Sequence, residues 1–92
     1  MKSYFVYLLS NRNRNVLYCG ITNDLSRRIA EHQAGMSAFT KRYLVHHLVW
    51  CEEFSDVFAA ISAEKRIKSM RRREKFGLIE SRNPKWEFLE QL

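Results

Sequence analysis

Two tyrosines, one arginine and one glutamate carry the chemistry that this chain's spacing allows. Tyr7 and Tyr18 lie in two short stretches rich in aromatic and β-branched residues, separated by the polar run Ser10 to Asn15. A turn centred on Arg12-Asn13 would make these stretches a hairpin and set Tyr7 directly opposite Tyr18, with Gly20 leaving open space beside them. Paired phenols can hold a water or pass a proton. They are also ordinary cross-strand aromatics, which pack well on a pleated surface. Arg28 follows on a helix with His32 four residues later. It can be aimed back across the sheet edge toward an anion, or it can form a solvated pair with Arg27. Glu64 falls on a helical stripe with Val57, Ala60, Ile61, Lys68 and Arg71. A carboxylate at a core-facing position is costly unless a cation meets it. Lys68, one turn on, is one such cation, at about 0.3–0.5 kcal/mol if exposed. A divalent metal ion is the other.

The elements that must position these groups follow from pattern. Tyr4 to Leu9 and Val16 to Thr22 read as antiparallel strands. Asn23-Asp24 caps a helix from Leu25 to Ala34, whose apolar side is Leu25, Ile29 and Ala30, and Gly35 stops it. Met36 to Arg42 reads as a loop and Leu44 to Glu52 as a third strand. Ser55-Asp56 caps a longer helix from Val57 to about Arg72, a short helix follows around Glu74 to Glu80, and Asn83-Pro84 opens a last helical turn. The order β-β-α-β-α-α is an α+β fold, a small three-stranded antiparallel sheet flanked by helices.

Composition narrows the partner. Ninety-two residues suit one domain and one core. With 46% apolar and 28% charged residues, the chain reads as globular. Its apolar runs are too short to span a membrane or to serve as a leader, so a cytoplasmic location is expected. Cys19 and Cys51 lack zinc-site spacing and read as reduced, buried side chains. Sixteen Lys+Arg against ten Asp+Glu give a net charge of +6, the signature of a polyanion binder. Seven of the basic residues fall between Lys65 and Lys75.

Taken together, Phe5-Val6-Tyr7 and Tyr18-Cys19-Gly20 resemble the two signature triplets of the GIY-YIG nuclease superfamily. The similarity continues through Arg28, ten residues after Tyr18, then Glu64 in Ala63-Glu64-Lys65-Arg66-Ile67-Lys68, and ends in Asn83-Pro84-Lys85-Trp86-Glu87. It spans nearly the whole chain, as a single domain over residues 1–92, and is closest in kind to the branch made of the nuclease domain alone. Phe5 stands where Gly is usual and Cys19 where Ile is usual; neither change removes a reactive group.

The resemblance implies a metal-dependent endonuclease that hydrolyses phosphodiester bonds, in DNA first and RNA as the other candidate. Tyr7 and Tyr18 are then active-site tyrosines, Arg28 faces the phosphate, Glu64 holds Mg²⁺ or Mn²⁺, and His32 and Asn83 support them. Arg28 and the metal would favour a Tyr7 phenolate as the base that activates water, with Tyr18 orienting water or phosphate, or the two roles exchanged. Arg27, Lys41, Lys65, Lys68, Arg71, Arg72 and Arg73 are expected to contact the phosphate backbone, those from Lys65 onward along one helix of about 16 Å. With no base-reading motif, cleavage is expected to follow structure or weak sequence preference. The competing expectation is a nucleic-acid-binding module of the same fold that cleaves nothing.

Overall fold

A computed structural model describes residues 2–91. Strands β1 (Tyr4–Ser10), β2 (Leu17–Thr22) and β3 (His47–Phe54) form an antiparallel sheet in the order β2-β1-β3. Around it lie α1 (Leu25–Gln33), α2 (Ala38–Tyr43), α3 (Val57–Lys68) and α4 (Arg72–Arg82), followed by a 3₁₀ turn at Leu89–Gln91. The α+β class and the three-stranded sheet are as expected. Among the described residues, no helix is long and apolar enough to cross a membrane.

The central strand β1 sorts the core into two layers, because alternate side chains point to opposite faces. Val6 and Leu8 join Cys19, Val49 and Trp50 against Ala60, Ala63 and Ile67 of α3 and Ile79 of α4. Tyr7 and Leu9 join Val45, Leu48 and Ile29 of α1 on the other face. A fully buried Ile67 stabilises by about 1.5–3 kcal/mol, so the stripe Ala60–Ala63–Ile67 sets the roll of α3. That roll puts Glu64 on the flank of the helix, partly exposed, and not at the centre of its core face. Cys19 is buried as expected, while Cys51 is half-buried.

The β1–β2 turn is two residues longer than a turn centred on Arg12-Asn13. Asn11 organises it: its side-chain oxygen accepts from the backbone N–H of Asn15 at 2.9 Å and of Val16 at 3.1 Å. Arg14 turns the chain at φ 60. The register therefore pairs Tyr7 with Gly20 and Tyr18 with Leu9, and the expected direct Tyr7–Tyr18 pairing does not occur. A shift of two residues preserves the face on which each side chain lies. The two phenols thus remain on one face, diagonal to one another.

Several boundaries move for local reasons. The expected loop from Met36 to Arg42 contains α2, which ends at Leu44 with φ 57. Val45 then donates its N–H to the Thr40 carbonyl at 2.9 Å, so the third strand begins at His47 and not at Leu44. The long helix expected to reach Arg72 stops at Lys68. There the Ser69 hydroxyl donates to the Arg66 carbonyl at 2.8 Å, and Glu74 accepts from the Arg71 N–H at 2.9 Å, starting α4. The basic run from Lys65 to Lys75 consequently turns a corner between two helices. At Pro84 the chain makes a turn, not a helix.

Candidate active site

The face of β1 toward α1 carries a continuous hydrogen-bonded chain. Tyr7 and His32 are each 1% exposed. The Tyr7 hydroxyl lies 3.1 Å from His32 Nε2, and His32 Nδ1 lies 2.9 Å from the Thr40 hydroxyl. Thr40 in turn donates to the Ser37 carbonyl at 3.3 Å. Thr40 has one proton and gives it to a carbonyl, so it accepts from His32 Nδ1–H. In that arrangement Nε2 carries the lone pair, and Tyr7 O–H donates to it. Burial, reinforced by the Arg28 charge, holds the His32 pKa below its usual range and keeps the ring neutral.

Local sequence explains how these groups meet. Asp24 caps α1 by accepting from the Arg27 N–H at 3.1 Å, and Gly35, at φ 78, ends it. Between those ends, Ile29 and His32 are the buried residues of α1, whereas Ala30, expected on the apolar side, is exposed. The missing side chain of Gly20 does not leave open space. A Cβ there would overlap the hydroxyl and the outer ring carbon of Tyr7, so glycine opposite Tyr7 is what lets that ring reach His32.

Tyr18 completes the cluster. Its ring centroid is 6.4 Å from Tyr7 and 5.1 Å from His32. Arg28 lies against both phenols and donates to Glu31 Oε1 at 2.9 Å. Its side chain is 32% exposed, leaving the guanidinium a face toward solvent. Glu31 first, and the tyrosine hydroxyls after it, push its pKa further up. Arg28 by itself does not produce the expected Tyr7 phenolate. Burial outweighs the lowering by Arg28 and pushes the Tyr7 pKa up to about 12.

Glu64 comes from a different element, α3. It flanks α3 on the Cys19 side of β2, where its charge helps to raise the Cys19 pKa after burial has done most of the work. Among the described residues, its one ion pair is with Lys68, at 3.3 Å, and no hydrogen bond joins it to Tyr7, Tyr18, Arg28 or His32. No group of three His, Cys, Asp or Glu side chains gathers among the described residues. One carboxylate, 16% exposed, does not make a closed zinc site. It does suit a small hard cation that keeps several waters and shares a substrate phosphate. β2 is an edge strand, with Tyr18 on the Tyr7 face of the sheet and Cys19, beside Glu64, on the other.

Asn83 holds the chain in place. Its amide donates to the carbonyls of Val49 and Glu87, each at 2.9 Å, and accepts from the Glu87 N–H at 2.9 Å. Of the basic residues, Arg27, Lys41, Lys65, Lys68, Arg71, Arg72 and Arg73 are all exposed. Arg71, Arg72 and Arg73 line one open hollow at the start of α4. Arg72 is partly engaged, donating to the Asn15 carbonyl and lying over Phe76 at 5.0 Å. Thr40 is the residue that pattern reading missed. It lies in a segment with no strong periodicity, and its role arises from a contact between two helices.

Comparison with known proteins shows the family and the fold. The family described as the GIY-YIG catalytic domain matches residues 3–77. A UPF0213 protein of Vibrio parahaemolyticus is 44% identical over 78 residues, covering 82% of this chain and 71% of its own. A UPF0213 protein of Lactococcus lactis is 36% identical over 94 residues, covering all of this chain and 89% of its own. The solution NMR structure of a UPF0213 protein from Bacillus halodurans superposes with a TM-score of 0.62 at 27% identity, covering 98% of this chain and 96% of that one.

Proposed function

The chain belongs to the GIY-YIG family, whose domain implies nuclease-type chemistry, and we propose that this member is a divalent-metal-dependent endonuclease that hydrolyses phosphodiester bonds in DNA. The observation that carries the reading is the Tyr7–His32–Thr40 chain, with Arg28 beside it.

A water on the Tyr7 oxygen loses its proton to Tyr7 as it attacks phosphorus. Tyr7 simultaneously passes its own proton to His32 Nε2, so the phenolate is never a resting species and the neutral imidazole is the base. The phosphorus–oxygen bond to the leaving strand breaks, and that oxygen takes a proton from solvent. The His32 imidazolium, disfavoured by burial and by Arg28, then returns its proton through Tyr7 to solvent. Arg28 offers two parallel donors to the non-bridging oxygens, a geometry that lysine lacks. Tyr18 holds the water or the phosphate against Tyr7. When bound at Glu64, Mg²⁺ or Mn²⁺ supplies charge neutralisation at the phosphate and leaving oxygens.

The test is a panel of labelled single strands, duplexes, nicked and branched DNAs and RNAs, incubated with Mg²⁺, Mn²⁺ or chelator. Cutting that needs metal and disappears in both Glu64→Ala and His32→Ala is expected. The Glu64–Lys68 pair suits a second reading, a module that binds without cleaving. Salt-sensitive binding unchanged by Glu64→Ala, with no cutting across the panel, would select it.

A further inference from the structure

Helix α2 buries only Thr40 and turns its remaining apolar side chains outward. Phe39 is 44% exposed and Tyr43 43%, flanked by exposed Met36 and Leu44. Single exposed apolar residues are ordinary, whereas contiguous ones mark a binding surface. These are contiguous: Phe39 lies 4.9 Å from Tyr43 and 6.0 Å from Tyr18, centroid to centroid. The rings therefore form a row that begins inside the candidate active site and runs out along α2. Cations border it, with Arg42 over the Tyr43 ring at 5.4 Å, Lys41 on the same turn, and Arg28 at the inner end.

We propose that Phe39 and Tyr43 stack unpaired nucleobases flanking the scissile phosphate, so the preferred substrate is a strand whose bases beside the cut are unpaired or readily unstacked. This rests on the nuclease reading only in placing the cut next to Tyr18; base binding itself does not require it. Flat π-faces alternating with cations match the alternation of bases and phosphates along a strand. A second copy of the chain fits poorly. Each chain carries +6, and a symmetric contact through this row would bring Lys41 and Arg42 against their own equivalents. A fully paired duplex also fits poorly, because its base faces are already stacked.

The experiment measures binding with chelator present, so that cutting plays no part. A labelled oligothymidylate, a blunt duplex and a duplex with a short unpaired bulge are titrated against wild type, Phe39→Ala, Tyr43→Ala, Phe39→Leu and Phe39→Trp. Each alanine is expected to weaken oligothymidylate and bulge binding roughly 5- to 150-fold and to leave duplex binding unchanged. Phe39→Leu keeps the apolarity without the π-face and should fail like alanine. Phe39→Trp should bind as wild type, with its fluorescence quenched by the oligothymidylate. Equal losses on duplex and single strand, full binding by Phe39→Leu, or a dimer in sedimentation that Phe39→Ala dissolves would each overturn the proposal. Base stacking without cutting on any substrate would instead remove the nuclease reading and leave this one standing.

Discussion

Thr40→Val isolates the role of the His32 tautomer. Valine keeps the branched shape and removes one hydroxyl, so packing at this fully buried position changes little. The Ser37 carbonyl is not orphaned, because the Lys41 N–H also donates to it at 2.9 Å. The whole cost falls on His32 Nδ1–H, which would face a methyl group where an oxygen stood at 2.9 Å. An unsatisfied buried donor costs about 1–3 kcal/mol. At about 4–8 °C per kcal/mol for a domain of this size, Tm should fall by roughly 4 to 24 °C. The ring can escape by moving its proton to Nε2, but Nε2–H then points at the Tyr7 oxygen and can no longer accept from it. Keeping the proton on Nδ1 leaves a buried donor unpaired, whereas this escape relieves it and removes the acceptor for the Tyr7 proton. A positioned general base contributes about 10²–10⁴-fold, so single-turnover cleavage should slow by about 10²-fold or more, with oligonucleotide affinity unchanged. Imidazole ¹⁵N shifts report the tautomer directly, and Thr40→Ser should restore tautomer, stability and rate. A Thr40→Val protein with wild-type Tm, protonated Nδ1 and wild-type cleavage would refute the reasoning.

Four further outcomes are expected. Gly20→Ala must displace the Tyr7 ring, which is too buried to swing freely; it should cost about 1–3 kcal/mol by overpacking and break the Tyr7–His32 contact. Chemical denaturation and the His32 ring shifts test both parts, and a variant as stable as wild type with unchanged shifts argues against the overlap. The depressed His32 pKa means that the unfolded chain binds the proton more readily. Stability from this group is therefore full above the ordinary value of 6.5 and is lost as pH falls through the lower folded value. Urea midpoints across that range should fall more steeply for wild type than for His32→Gln. Tyr7 behaves in the opposite sense: with its pKa raised from 10.0 to about 12, its contribution is present below pH 10 and lost as pH rises toward 12. Ultraviolet titration should show one late tyrosine that is missing in Tyr7→Phe. Arg71→Ala and Arg73→Ala should each reduce the salt dependence of nucleic-acid binding by roughly one phosphate contact, a slope change of about 0.7–0.9; an unchanged slope removes the α4 corner from the footprint.

The sequence by itself determined what depends on alternation and on short-range capping. Period-two patterning placed Tyr7 and Tyr18 on one face, and that survived a turn two residues longer than expected because a shift of two preserves parity. Asp24, Gly35 and Asp56 set the starts of α1 and α3 and the end of α1 through hydrogen bonds to near neighbours in the chain. The same locality made the sheet, the α+β class and the family resemblance legible. Tertiary structure decided the rest, because those outcomes depend on what lies across the fold. The buried stripe of α3 against β1 and β2 rolled Glu64 to the helix flank, where it pairs with Lys68. The packing of α2 on α1 gave His32 a threonine acceptor and thereby put the ring proton on Nδ1. Burial, a property of the assembled core, raised the Tyr7 pKa above what its neighbouring arginine could lower. A residue's type and spacing fix which proton it can carry; the groups packed around it fix whether that proton stays.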